Sequence, residues 1–297
     1  MKLVALIVTF NRLEKLKKCW AASAALNFTD IIIVNNASTD NTAEWLASIT
    51  DSRLKVITLQ DNTGGAGGFK VGIQYIDQQV EADFVALYDD DAYPTVDLLE
   101  NFSSIRSDEY QAYCCRVEDL DGNLCKMNVP YAKFPSTFAD TLSYIRAPQR
   151  FLPNEHCSQT VASFSFVGLI IDKRVLVNNI NSIYPELFIY YDDLYLSKAL
   201  TDKGIKIRYS PEVVFKHDIP VGVKTISPTW KVYYLVRNLF LARYLSRSLR
   251  AYSTPAIMIR VLKYLVLTIK QEQKLSYLHF VFKGITDGIS NKSGKKH

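Results

Sequence analysis

The sequence predicts an α/β chain: a doubly wound, mostly parallel sheet over most of its length, then a basic helical region. Three observations carry this. Apolar, β-branched runs alternate with helical patterns through about the first 100 residues. Each of those runs ends in a polar cluster, as strands do at the rim where such sheets bind ligands. Charge is also divided, with 21 basic and 28 acidic residues in 1–223, a net −7, against 14 basic and 2 acidic in 224–297, a net +12.

Taken in order, residues 3–10, 31–34, 54–59 and 84–88 read as buried parallel strands, because each is a largely apolar run rich in β-branched residues. Helical periodicity fills the gaps at about 13–26, 42–49 and 69–80. The strand-end clusters are Asn11-Arg12, Asn35-Asn36-Ala37-Ser38, Asp61-Asn62-Thr63 and Asp89-Asp90-Asp91, expected along one rim. From 106 to 158 the pattern gives way to turn signals, including Asp121-Gly122-Asn123 and four prolines, and an irregular segment is expected. Regular structure returns at 160–171, with a helix near 187–203 and short strands at 205–209 and 213–215. Beyond Pro228 the chain reads as helical, with a free end at 291–297.

Composition excludes several classes. With 48% hydrophobic and 22% charged residues in 297, the chain is neither disordered nor fibrous. Its five cysteines, Cys19, Cys114, Cys115, Cys125 and Cys157, include no CxxC and an adjacent pair, a pattern suited to a reducing compartment rather than a disulfide or zinc framework. Met1 leads straight into a strand-like run without a cleavable leader pattern, so a cytoplasmic location is expected.

Four features bear on chemistry. Asp89-Asp90-Asp91 crowds three carboxylates at a strand end, a costly arrangement unless a cation offsets it; Mg²⁺ or Mn²⁺ suits such oxygens, while a solvated acidic turn is the plain alternative. The segment 62–69, Asn-Thr-Gly-Gly-Ala-Gly-Gly-Phe, opens a helix and lets backbone approach a ligand. Lys70 breaks GxGxxG and no GK[ST] follows, so neither a dinucleotide fold nor an NTPase is indicated. His217, after a short strand, is either a structural histidine or a nitrogen ligand to the same metal. Asp192-Asp193, at a helix start among aromatic and aliphatic neighbours, is either favoured by the helix dipole or a partly desolvated general base.

These motifs, with 8–12, 34–40, 166–168, 188–196 and 233–238, resemble the family 2 glycosyltransferases of the GT-A fold, in particular the bacterial galactofuranosyl- and rhamnosyltransferases, over about residues 1–240. The resemblance implies that Thr9, Asn11 and Arg12 cradle a nucleotide diphosphate and that Asn36 and Asp40 grip its base and ribose. It puts Asn62, Gly64 and Gly65 near the donor sugar, and Asp89, Asp90 and Asp91 at the diphosphate, with Asp89, Asp91 and His217 holding Mn²⁺ or Mg²⁺. Phe166 and Gly168 would border the acceptor, and Asp193, with Asp192 beside it, would be the base of an inverting transfer. Asn35 stands where the family usually has aspartate; an amide can still donate and accept. The implied reaction is transfer from UDP-galactofuranose to a lipid-linked glycan by a catalytic domain over 1–223. A dTDP-rhamnose enzyme and a noncatalytic nucleotide-sugar-binding subunit are the alternatives.

Region 224–297 fits that acceptor. Arg243, Arg247 and Arg250 share one helical arc, and Arg260, Lys263, Lys270 and Lys274 another, opposite apolar residues such as Ile257, Met258, Leu262 and Val266. No run of 18 uncharged residues exists, so these helices are expected to lie on an anionic membrane at its inner face rather than span it. No nucleic-acid-binding motif accompanies the charge, and nucleic acid is not expected as a partner.

Overall fold

The computed structural model describes residues 1–219, 225–246 and 250–297; Arg247 and the boundary at 223/224 lie outside them. The chain runs β1 Leu3–Thr9, α1 Leu13–Ala24, β2 Ile31–Asn35, α2 Thr42–Ala47, β3 Leu54–Thr58, α3 Gly64–Gln79, β4 Phe84–Asp89, β5 Ala92–Pro94 and α4 Leu98–Ile105. It continues with β6 Ala112–Glu118, α5 Phe138–Arg146, β7 Gln159–Val161, β8 Leu169–Asp172, α6 Lys173–Asn178, α7 Asp192–Asp202 and β9 Ile207–His217. Helices α8 Lys231–Leu245, α9 Thr254–Leu267 and α10 Lys274–Ile289 complete it.

The sheet follows the order β3-β2-β1-β4-β8-β6-β9-β5, with β7 also paired to β9. Strands β3, β2, β1 and β4 are parallel; β2, β1 and β4 are buried along their length, as their apolar character requires of strands covered on both faces, whereas β3, expected to be buried, is a half-exposed edge strand carrying Lys55 and Thr58. Leu3, Ala5 and Ile7 pack with Leu16 and Cys19 of α1, while Val4, Leu6 and Val8 pack with Phe69, Ile73 and Ile76 of α3. Strand β8 is antiparallel to both β4 and β6.

Four expectations are corrected. Segment 106–158 is not wholly irregular: it holds β6, a buried strand whose Tyr and Cys content hides its period, and α5. The two short strands before His217 are one strand, β9, whose register against β6 jumps from Cys115↔Ser210 to Arg116↔Val214, so that Pro211 falls in a bulge where no ladder N–H is needed. Helix α3 starts at Gly64 rather than near 69, and its glycines serve packing: a Cβ at Gly68 would stand 2.6 Å from Val8 Cγ1, and one at Gly72 2.3 Å from Leu6 Cδ1. Residues 291–297 are not a free end, since the Gly294 N–H donates to the Glu186 carbonyl at 2.8 Å and the His297 ring stacks on Trp230 at 3.8 Å.

Helices α8, α9 and α10 share a separate apolar cluster with Leu187 and Tyr195. Close approach of α10 to α8 depends on small residues, because a Cβ at Gly284 would lie 2.7 Å from the Tyr233 carbonyl oxygen. The basic arcs are only partly as expected. Arg260 turns inward, stacking 3.6 Å from the Tyr252 ring centroid and donating to Thr141 Oγ1 at 2.9 Å, because its planar guanidinium gains more from an aromatic face and fixed acceptors than from solvent. Lys270 and Lys274 do not continue the arc of α9, since that helix ends at Leu267.

Candidate active site

The carboxyl ends of β1, β2 and β4 face a cavity of about 660 Å³, closed on the far side by residues 188–193 and by the start of α8. Thr9, Arg12, Asn36, Asn62, Gly64, Gly65, Asp89, Asp90, Asp91, Phe166, Asp192, Asp193 and His217 all line it. Asn11, Asp40 and Gly168 do not. Asn11 Oδ1 accepts the Thr39 N–H at 2.7 Å and Asp40 accepts the Leu13 N–H at 3.3 Å, so these two tie the β1–α1 loop to the β2–α2 loop beside the cavity. Gly168, at φ 79°, packs under it against Phe215.

The acidic triplet is divided by its partners. Asp90 accepts the Thr9 hydroxyl proton at 2.8 Å, and burial still pushes its carboxyl up to about 6. Asp91 takes the Arg12 guanidinium at 2.6 Å; burial raises its carboxyl, but His217, Arg12 and Lys15 outweigh that and hold it below the usual range. Asp89 has only distant cation support, so burial and its two neighbours drive its carboxyl well up. Asn36, fully buried, donates to the Gly64 carbonyl at 2.9 Å and accepts the Thr63 N–H at 2.9 Å, fixing the loop that opens α3. Gly64 is obligatory there: at φ 74°, a Cβ would stand 2.0 Å from the Phe188 carbonyl oxygen.

His217 reaches the triplet through the sheet. Its strand pairs antiparallel with β5, placing His217 opposite Ala92, and its Nε2 lies 3.4 Å from Asp91 Oδ1. Its Nδ1 lies 3.0 Å from Asn128 Oδ1. Among the described residues no three His, Cys, Asp or Glu side chains stand ready-spaced around an ion. The donor set nonetheless fits a hard divalent cation: two carboxylates, one destabilised by its neighbours, and an imidazole oriented through its other nitrogen.

Opposite the triplet, Asp192 and Asp193 open α7 at the end of a strained loop. Phe188, Tyr190 and Tyr191 hold φ of 67°, 67° and 68°, a region that costs such bulky residues about 1–3 kcal/mol each. Buried side chains of α8 hold the loop in this form. Asn238 Nδ2 donates to the carbonyls of Leu187, Ile189 and Tyr190 at 3.1, 2.8 and 3.0 Å, and Arg237 Nη2 to those of Glu186 and Leu187 at 3.0 and 2.8 Å. The two carboxyls then differ. Burial and the Asp193 charge push Asp192 up to about 8, whereas Asp193, also raised by burial, is checked at about 6 by the Leu194 and Phe166 N–H groups and the Ser165 hydroxyl. Burial thus raises both carboxyls, and the charge of Asp193 opposes ionisation of Asp192, so the pair resists holding two negative charges at once.

Sequence reasoning missed Asn128, Ser165, Trp230 and Lys231, which also line the cavity. Ser165 adjoins the 166–168 motif and was within reach; nothing local marks Asn128. Lys231, half-buried, has its ammonium pushed down by burial and by Arg12.

With this geometry in place, the family's sequence profile, described as Glycosyl transferase family 2, matches residues 4–167. The chain belongs to glycosyl transferase family 2. It is 22% identical over 293 residues to the low-salt glycan biosynthesis hexosyltransferase Agl10 of Haloferax volcanii, covering 98% of this chain and 92% of that one. In fold it is similar to residues 1–349 of TarS from S. aureus (TM-score 0.57, 16% identity, 97% of this chain and 82% of that one). It is also similar to the mannosyltransferase PcManGT of Pyrobaculum calidifontis, solved with GDP-Man and Mn²⁺ (TM-score 0.56, 13% identity, 98% and 88%). The family 2 chain is thus a glycosyltransferase of GT-A fold, and none of its described helices is long and apolar enough to cross a membrane.

Proposed function

We propose that the protein is an inverting, metal-dependent glycosyltransferase that moves galactofuranose from UDP-galactofuranose to a lipid-linked polysaccharide. The observation that carries this reading is the facing of two carboxylate groups across one cavity: Asp89–Asp91 with His217 on one wall, Asp192–Asp193 on the other. The first is built to hold a cation and a diphosphate, the second to take a proton. The resemblance of 62–69 and 188–196 to galactofuranosyltransferases supports the sugar, and the nucleotide-sugar and Mn²⁺ of the mannosyltransferase complex support the donor class and the metal.

In this reading Asp89, Asp91 and His217 hold Mn²⁺ or Mg²⁺, which when bound offsets the charge of the departing diphosphate. Arg12, on the rim, orients the diphosphate, and Lys231 adds a second positive group at the mouth. Asn62, Gly64 and Gly65 border the sugar, and Phe166 the acceptor. Asp193 accepts the proton of the attacking acceptor hydroxyl at its carboxylate, and Asp192, protonated, leaves Asp193 the single negative charge of the pair. The nucleophile is the acceptor itself, so one displacement inverts the anomeric centre.

The membrane part of the reading rests on α9 and its surroundings. Met258, Leu262, Val266 and Ile269 are 46%, 59%, 57% and 75% exposed and form a stripe at helical spacing, extended by Leu275 at 85%. Lys263, Lys270 and Lys274 are exposed in the same stretch of chain, a composition matched to an anionic bilayer surface at the inner face of the membrane. Residues 1–223 would then be the catalytic domain and 224–297 the membrane-associating region, with α8 serving both.

Nucleoside-diphosphate release from UDP-galactofuranose, UDP-galactopyranose, UDP-glucose and dTDP-rhamnose, with Mn²⁺ or chelator and crude lipid-linked acceptor, tests it. Metal-dependent release from UDP-galactofuranose alone is expected; release from dTDP-rhamnose would replace the donor, and release that survives chelation would remove the metal.

A further inference from the structure

We propose that the face of the Trp230 indole covered by His297 is a stacking subsite for a sugar ring of the acceptor, and that His297 fills it in the free protein. Residues 295–297 are then a strap that the incoming sugar displaces. The inference rests on the reading of the Asp192–Asp193 wall as the acceptor side of the cavity.

Trp230 stands one residue before α8, and Phe188 opens the strained loop that leads to the aspartate pair; both line the cavity together with His297. The His297 imidazole lies 3.8 Å from the Trp230 ring with 14° between their planes, and meets the Phe188 ring edge-on at 5.6 Å. A flat five-membered ring therefore already rests on the indole, with a second aromatic side chain at its flank. An indole face takes another aromatic ring or the flat C–H side of a sugar, because both bury apolar surface against it. The donor groups at the ends of β1, β2 and β4 occupy the other wall, so the ring this face meets is the one that presents its hydroxyl to Asp193.

The chain changes its hold at Gly294. Up to that residue it is fastened. The Lys292 N–H donates to the Asp287 carbonyl at 2.8 Å, and Lys292 Nζ pairs with Asp287 Oδ1 at 3.1 Å. The Gly294 N–H donates to the Glu186 carbonyl at 2.8 Å, and the Gly294 carbonyl accepts from Arg237 Nη1. Gly294 then turns the chain at φ 75°. Beyond it Lys295, Lys296 and His297 are exposed. One hydroxyl, that of Tyr234, meets both the Lys296 N–H at 3.0 Å and His297 Nδ1 at 2.7 Å, and Lys283 Nζ donates to the Lys296 carbonyl at 3.4 Å. Burial and the charges of Lys295 and Lys283 push the imidazole below its ordinary value, so near neutral pH it stacks as an uncharged ring. Lifting it breaks no ion pair, and a sugar restores the stacking it gives up. The bonds of Arg237 to Glu186, Leu187 and Gly294 all lie on the fastened side, so the strap can lift while the loop that carries Asp193 stays held.

Two experiments test the subsite. In the first, the full chain is labelled with nitrogen-15 in its three tryptophans, and the Trp230 indole N–H is assigned by its loss in Trp230→Phe. Methyl β-D-galactofuranoside and methyl β-D-glucopyranoside are the probes. At least one should shift the Trp230 signal, and His297→Ala should bind it about three- to tenfold more tightly than the wild type, because apparent affinity scales with the fraction of molecules in which the site is open. Equal or weaker binding in His297→Ala, or no shift of Trp230 in that variant, overturns the proposal. In the second, Trp230→Leu, checked for folding by its melting curve, should raise acceptor KM about tenfold while UDP affinity by isothermal titration is kept, and Trp230→Phe should restore most of the loss because it returns a ring. A fall in UDP affinity with acceptor KM unchanged would make the indole a base platform and overturns the sugar subsite. Asp193→Asn, measured alongside, separates the two levels: wild-type kcat there overturns the acceptor-side reading beneath the proposal, whereas an impaired Asp193→Asn beside a wild-type acceptor KM in Trp230→Leu overturns the subsite alone.

Discussion

On the donor wall of the cavity, Thr9, Asn36 and Asp89 stand at the ends of parallel strands, whereas across from them Asp192 and Asp193 follow a loop with three non-glycine residues at positive φ. The first wall gets its geometry from strand pairing, shared over many backbone hydrogen bonds. The second gets it from two buried side chains, Arg237 and Asn238, that answer five carbonyl contacts of the loop. Rigid sheet ends suit groups that bind; a loop held under strain sets a single proton acceptor at one angle, and it depends on few residues. Substitutions should accordingly hurt in different ways on the two sides.

The largest effect is expected at the second wall. Asp193→Asn should lower kcat by about 10²- to 10⁴-fold while donor affinity, read by isothermal titration with UDP, is kept. Next comes Asn238→Ala, far from any reacting atom. Releasing the loop should cost about 2–4 kcal/mol of stability by thermal unfolding and lower kcat by about 10²-fold; full activity in a destabilised variant would show that the strained loop does not set the base. On the helical side, Leu262→Glu with Val266→Glu should lower flotation with anionic vesicles by about tenfold or more, with soluble donor hydrolysis unchanged. At the mouth of the cavity, where α8 begins, Lys231→Ala should raise donor KM by about tenfold and leave kcat close to normal, as expected for a group that binds rather than reacts.

The smallest effect separates the paired carboxyls by pH. Asp193 titrates at about 6, so kcat should fall as pH drops below 6. Asp192 keeps its proton to about pH 8 in the fold but releases it near the ordinary value of 3.8 when unfolded. Between those values the folded chain binds more protons, so stability falls as pH rises through that window. Asp192→Asn, which mimics the protonated form, should raise Tm at pH 8 and leave it nearly unchanged at pH 4. An equal gain at both would remove Asp192 ionisation as the cause.

Much of the first wall was legible in the chain. Apolar runs of residues 3–10 and 84–88, each ending in a polar cluster, are local patterns, and a buried parallel strand needs little more to declare itself. The glycines of 62–69 are legible only in part, because a glycine that admits a ligand and one that admits Val8, as Gly68 does, look identical in sequence. Arg260 was assigned to a charged surface by its helical spacing, which cannot show that Tyr252 and Thr141 wait on its inner side.

The sequence by itself determined the α/β alternation, the acidic triplet at a strand end, the aspartate pair at a helix start and the concentration of positive charge after residue 223. All are properties of neighbours within a few turns or one strand, where sterics and side-chain period act directly. Only the tertiary structure decided that β9 pairs with β5 and so carries His217 to Asp91, that Asn128 meets both His217 and Ser165, and that α8 holds the 186–191 loop in its strained form. These contacts join residues 37 to 126 positions apart. No local propensity encodes them; they exist because burying the sheet and the helical cluster together leaves their polar groups no other partners.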